Sequence, residues 1–102
     1  MAIYTYQELQ KKINTIDTFD AYKKICHNIK LIRKQKYKEF KIICNSNTIN
    51  PYSTENLAAL LGYNHTYYKR FESDKDSTKK IPFEKLLIII TVFDITFDDL
   101  LK

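Results

Sequence analysis

The chain has 102 residues, of which 44% are hydrophobic and 28% charged, with 17 Lys and Arg against 12 Asp and Glu for a net charge of +5. That length fits one domain spanning 1–102, with a small core and no room for two independent ones. One glycine and two prolines exclude the turn-rich sandwiches and barrels, so the expected fold class is all-α, a compact helical bundle.

Thr5-Tyr6-Gln7-Glu8 has the form of a capping box, which predicts a short helix from Tyr6 to about Thr15 within an N-terminal extension, 1–17. Its apolar positions Tyr6, Leu9, Ile13 and Ile16 make one stripe. Thr18 or Asp20 is the expected cap of a second helix, where Phe19, Tyr22, Ile25, Cys26, Ile29 and Ile32 recur at helical spacing. From Tyr37 to Cys44 two patterns compete. Tyr37, Phe40, Ile43 and Cys44 continue the helical phase, whereas Phe40, Ile42 and Cys44 also suit a strand; continued helix is the favoured reading. Asn45 to Ser53 is a polar loop in which Pro51 holds Asn50 away from helical geometry.

The segment 53–72 predicts two short helices around the chain's one glycine. Ser53 caps the first, whose apolar set is Leu57, Ala58, Leu60 and Leu61, and Gly62 ends it in a left-handed conformation. Asn64 caps the second, which packs through Tyr68 and Phe71 and turns His65, Thr66, Tyr67, Lys69 and Arg70 the other way. A polar loop, Ser73 to Lys80, follows. Pro82 suits the first turn of the next helix, with Leu86, Leu87, Ile90 and Phe93 as core. The β-branched run Ile88 to Val92 would equally serve a strand. Thr96, with Asp98 and Asp99 in the first turn, opens a last helix whose Phe97, Leu100 and Leu101 close the core or meet a second subunit.

These pieces resemble, in order, the Cro/repressor (XRE) helix-turn-helix family over about half of the chain. Asn28 to Lys34 is similar to the family's opening helix, Ser53 to Leu61 to its first motif helix, Gly62 to Asn64 to its turn, and His65 to Glu72 to its recognition helix. Ile81 to Leu87 and Val92 to Leu101 are similar to its closing pair. Thr54 stands where the family usually has glutamine, and Gln35 to Tyr52 form a long insertion before the motif. The resemblance implies duplex DNA as the partner, a homodimer on an inverted repeat, and an ion pair between Arg33 and Glu72 tying the opening helix to the recognition helix.

The expected DNA contacts follow from groove chemistry. Side chains in the first turns of the second motif helix reach base edges, which selects His65, Thr66, Lys69 and Arg70. Asn64, Tyr67 and Thr54 suit phosphate oxygens, as do Lys75, Ser77, Thr78, Lys79 and Lys80 in the following loop. Each has a plainer alternative: His65 as an exposed helix residue, Tyr67 as core, Arg70 as an ion-pair partner of Asp74. The positive charge is also uneven, with eight Lys and Arg from Lys23 to Lys41 against the single acid Glu39, so a polyanion is expected on that side.

A small transcriptional repressor is therefore the expected function. An accessory factor of plasmid transfer, replication or partition and a protein-binding inhibitor or adaptor are the alternatives. No catalytic residue, metal site, cofactor or small-molecule substrate is expected, because the chain lacks a glycine-rich phosphate loop and a nucleophile–base pair. Cys26 and Cys44 are too few for a disulfide framework or zinc cage and are expected to be buried free thiols. With no leader-like segment and no apolar run long enough for a bilayer, no membrane partner and a cytoplasmic location are expected. Heavy use of Ile, Lys, Asn and Tyr points to an AT-rich gene from a low-GC bacterium or its mobile elements.

Overall fold

A computed structural model describes residues 3–44, 47–73 and 80–102, and its ordered elements are all helical. In chain order these are α1 (Tyr6–Asn14), α2 (Thr18–Ile43), α3 (Thr54–Leu61), α4 (His65–Glu72), α5 (Phe83–Phe93) and α6 (Phe97–Leu101). The long α2 is the spine: α4, α5 and α6 pack against it, and α3 fills the space between α4 and α5. Ile29, Leu57, Leu61, Tyr68, Ile81, Ile89, Phe93 and Leu100 form the fully buried centre.

Local chemistry accounts for most helix boundaries. Ser53 Oγ accepts from the Asn56 amide, Asn64 Oδ1 from the Tyr67 amide, and Thr96 Oγ1 from the Asp99 amide, each satisfying one of the unpaired donors that open a helix. Thr96 and Asp99 complete a reciprocal capping box. Gly62 closes α3 at φ +77°, with its amide bonded to the Ala59 carbonyl and that of Tyr63 to the Ala58 carbonyl, a Schellman arrangement. Asp94 closes α5 in the same way at φ +55°. The β-branched run of α5 is helical because Leu86, Ile89 and Phe93, at spacings of three and four, all reach the core.

Several expectations require correction. The cap of α2 is Asp17, which accepts from the Asp20 amide, rather than Thr18 or Asp20. Leu60 is 51% exposed and Leu87 48%, so neither is core; Leu57, Ala58 and Leu61 face inward in α3, and Ile89 takes the place expected of Leu87. Residues 37–43 are helix, which is the favoured reading rather than the strand, and half of the insertion before α3, from Gln35 to Ile43, is a lengthening of α2. Cys26 is buried, but Cys44, at the C-terminal end of α2, is only half-buried. Helix α1 buries none of its residues: Tyr6, Leu9 and Ile13 are all exposed, as is Ile16 two residues beyond its end.

Among the described residues, no helix is long and apolar enough to cross a membrane.

Candidate functional site

The placement of α4 begins with a charged network beneath it. Arg33, the last buried residue of α2, donates from Nε to Glu72 Oε2 at 2.6 Å and from Nη2 to Glu72 Oε1 at 2.9 Å. Its Nη1 donates to the Tyr52 carbonyl at 3.0 Å. The Tyr68 hydroxyl donates a short hydrogen bond to Glu72 Oε2. One carboxylate thus accepts three bonds, and one guanidinium ties α2 to both α4 and the segment leading into α3. This matches the fork geometry that makes arginine suited to a carboxylate.

Both charged side chains are 9% exposed. Burial works against the charged form of Arg33, but hydrogen bonding and charge from Glu72 outweigh it and hold the guanidinium above its ordinary pKa. Burial, and then the Glu72 charge, raise the Tyr68 phenol. The same two causes push the Cys26 thiol up to about 11. Sequence reasoning anticipated the Arg33–Glu72 pair but missed Tyr52 and Tyr68 as its other members. Tyr68 sits four residues before Glu72, one turn along the same helix, and that spacing is the signal that would have found it.

Above this network α4 turns Thr66, Lys69 and Arg70 to solvent. Glu72, the one acid of α4, is drawn inward by Arg33 and Tyr68, so the outward side of the helix is cationic and hydroxylic. At the helix start, Thr54 Oγ1 lies 2.7 Å from His65 Nε2. In one tautomer the hydroxyl donates to the bare nitrogen; in the other, Nε2–H donates to the hydroxyl oxygen. Sequence reasoning selected both residues but not their pairing, which joins the N-terminal ends of α3 and α4.

The remaining expected contacts divide. Asn64 is exposed, but its side-chain oxygen is engaged as the α4 cap. Tyr67 is 36% exposed and packs edge-on against Tyr63, with ring centroids 4.8 Å apart, and against Phe71 at 5.4 Å. Its ring therefore belongs to an aromatic cluster on one side of α4. Lys80 is exposed and lies over the Tyr22 ring of α2 at 5.9 Å. Lys75, Ser77, Thr78 and Lys79, and the expected Arg70–Asp74 pair, lie outside the described residues.

The segment before α3 is held firmly. Asn50 donates from Nδ2 to the Tyr37 carbonyl and accepts from the Tyr52 amide, while Asn56 donates to the Asn50 carbonyl. The Tyr52 ring meets Phe40 edge-on, with centroids 6.1 Å apart, and its hydroxyl donates to the Val92 carbonyl. The extended end of α2 is thereby braced against the start of α3.

Among the described residues, no group of three His, Cys, Asp or Glu side chains is placed to hold a metal ion. Comparison with known proteins gave no match: no family model, no curated protein and no solved structure is significantly similar to this chain.

Proposed function

We propose that the chain binds duplex DNA sequence-specifically through α4, as a small helix-turn-helix regulator of the Cro/repressor type. The observation that carries this reading is the polarity of α4, with Thr66, Lys69 and Arg70 outward and Glu72 locked inward on Arg33. A duplex approaching that side meets two cations and a hydroxyl, with no carboxylate on the helix to repel its phosphates. Lys69 and Arg70 suit guanine O6 and N7, and the Thr66 methyl suits a thymine methyl. Thr54 and His65 stand at the same end of the motif, where the first turn of a recognition helix meets base edges.

A homodimer belongs to the same proposal. The exposed stripe Tyr6, Leu9, Ile13 and Ile16 supports it, because an isolated helix of nine residues is marginal in water and gains most from burying such a stripe. Two copies would read half-sites whose centres are about one helical turn apart. Occupying a promoter then represses transcription in the cytoplasm of a low-GC bacterium or of the host of a phage or plasmid. Binding repeats at an origin, in plasmid transfer, replication or partition, would use the same contacts and differ only in where the sites lie.

Selection of bound sites from a random duplex library tests the reading, followed by a gel-shift titration of the selected site. The expected result is an inverted repeat whose binding is abolished in Lys69→Glu. A chain that retards no duplex at low salt refutes the proposal. Full biological activity in Lys69→Glu would instead direct the surface at a protein partner.

A further inference from the structure

Helix α2 outruns the core it supports. Its last buried residue is Arg33, yet the helix continues to Ile43, braced by the Asn50 bond to Tyr37 and the Tyr52 ring on Phe40. None of the residues from Lys34 to Ile43 is buried, so this stretch adds little to closing the bundle.

Three of their four lysines share one side. With Arg33 marking the direction of α4 and about 100° of turn per residue, Lys34, Lys38 and Lys41 fall together on one flank. Lys23, His27 and Lys30 fall on that same flank earlier in the helix. The opposite flank carries the half-buried Lys36, Glu39, which accepts from Gln35 at 3.2 Å, and Asn28, which donates to the Leu100 and Lys102 carbonyls of the C-terminal segment. Lys34, Lys38 and Lys41 are all exposed, and Lys41 Nζ stands 5.4 Å from the centre of the Tyr37 ring. The result is a cationic track, free of acids on its own flank of α2 from Lys23 onward, along a rigid rod whose end is tied to the start of α3.

We infer that Lys34, Lys38 and Lys41 form a second phosphate-binding track that grips the sugar–phosphate backbone of the duplex outside the groove entered by α4. The inference rests on the DNA-binding reading above. From Lys34 to Lys41 the axial rise is about 10 Å, enough to meet two or three phosphates of one strand. Such contacts carry no sequence information and add affinity through counterion release.

The test uses the full chain as Lys34→Gln/Lys38→Gln/Lys41→Gln, with Lys69→Gln for comparison. These lysines are exposed, so a thermal melt should match wild type. Binding of the selected duplex and of a scrambled duplex is then titrated across a salt series. The expected result for the triple variant is a salt slope shallower by about 0.9 for each phosphate no longer neutralised, hence by about 2 to 3 overall, with an unchanged ratio between selected and scrambled sites. Lys69→Gln should lower that ratio instead. A slope unchanged in the triple variant overturns the track and leaves α4 as the DNA contact. A lowered ratio in the triple variant also overturns it, because base edges would then be the target. Failure of wild type to bind either duplex removes both proposals.

Discussion

Replacing Glu72 by glutamine perturbs one atom of the buried network and should cost the fold a large part of its stability. The carboxylate accepts from Arg33 Nε and Nη2 and from the Tyr68 hydroxyl, and both charged side chains are 9% exposed. Glutamine keeps one acceptor oxygen but turns an NH2 toward donors, and it leaves the guanidinium without a counter-charge where water scarcely reaches. Breaking one half of a buried pair in this way costs about 3–5 kcal/mol. The carbonyl that remains, and the Arg33 bond to Tyr52, favour the lower end, about 3 kcal/mol. For a domain of this size that lowers the melting temperature by about 12–24 °C. Circular dichroism melts and urea titrations of wild type, Glu72→Gln, Arg33→Met and Arg33→Met/Glu72→Leu measure it. The double variant should recover part of the stability, because two apolar side chains leave no orphaned charge while the Tyr68 hydroxyl and the Tyr52 carbonyl lose their partners. A Glu72→Gln melting temperature within about 2 °C of wild type would refute the reasoning.

Three other outcomes are expected. Gly62→Ala should destabilise by about 1–2 kcal/mol through backbone strain alone, since φ is +77° while a new Cβ would meet only Lys85 Nζ at 3.8 Å; Gly62→Asn should cost less, and equal effects in both would point to a clash instead. The cap at α6 should make stability acid-sensitive. The Thr96 backbone amide, then Lys102 and the Thr96 hydroxyl, hold Asp99 at about 2, below its ordinary 3.8, so its contribution is complete above about 3.8 and is lost as pH falls through about 2. Asp99→Asn should flatten that part of an acid-unfolding curve, and an unaltered curve would count against the cap. Finally, mass spectrometry after brief alkylation at pH 8 should find Cys44 labelled well before Cys26, whose thiol is buried and pushed up to about 11. Faster labelling of Cys26 would contradict its burial.

The legible part of the fold was chemistry that acts within a turn or two of the chain. Ser53, Asn64 and Thr96 each reach an amide three residues on, and Gly62 adopts a conformation that other residues resist, so these boundaries follow from residue type and position. Helix phase was less legible where every neighbour is apolar. In α3 the run Leu57-Ala58-Ala59-Leu60-Leu61 leaves more than a turn with no polar residue to mark the outside, so the pattern places Leu60 inward although it faces out. The aliphatic run Leu86 to Ile90 hides the phase of α5 in the same way, and the pattern points to Leu87 where Ile89 is the buried residue. Thr18 and Asp20 yield the α2 cap to Asp17 by one to three residues, a local competition among adjacent capping side chains that spacing alone does not resolve.

The pairing of Thr54 with His65 was not legible in the sequence. Thr54 departs from the glutamine usual in the resembling family, and that shortening removes a polar reach only while Thr54 is considered alone. In the fold its hydroxyl meets His65 Nε2, eleven residues away in sequence, because Gly62 folds α4 back so that the two helices present their N-terminal ends side by side. The hydroxyl engages Nε2 in either tautomer, so Nδ1 is the ring nitrogen outside this bond. If that coupling matters to recognition, Thr54→Ser should retain site preference, whereas Thr54→Val, which keeps the shape and removes the hydroxyl, should change the preferred base nearest His65 with little effect on non-specific affinity. Site selection with the two variants separates the cases, and identical preferences for Thr54→Val and wild type would reduce the Thr54–His65 bond to a brace between two helix ends.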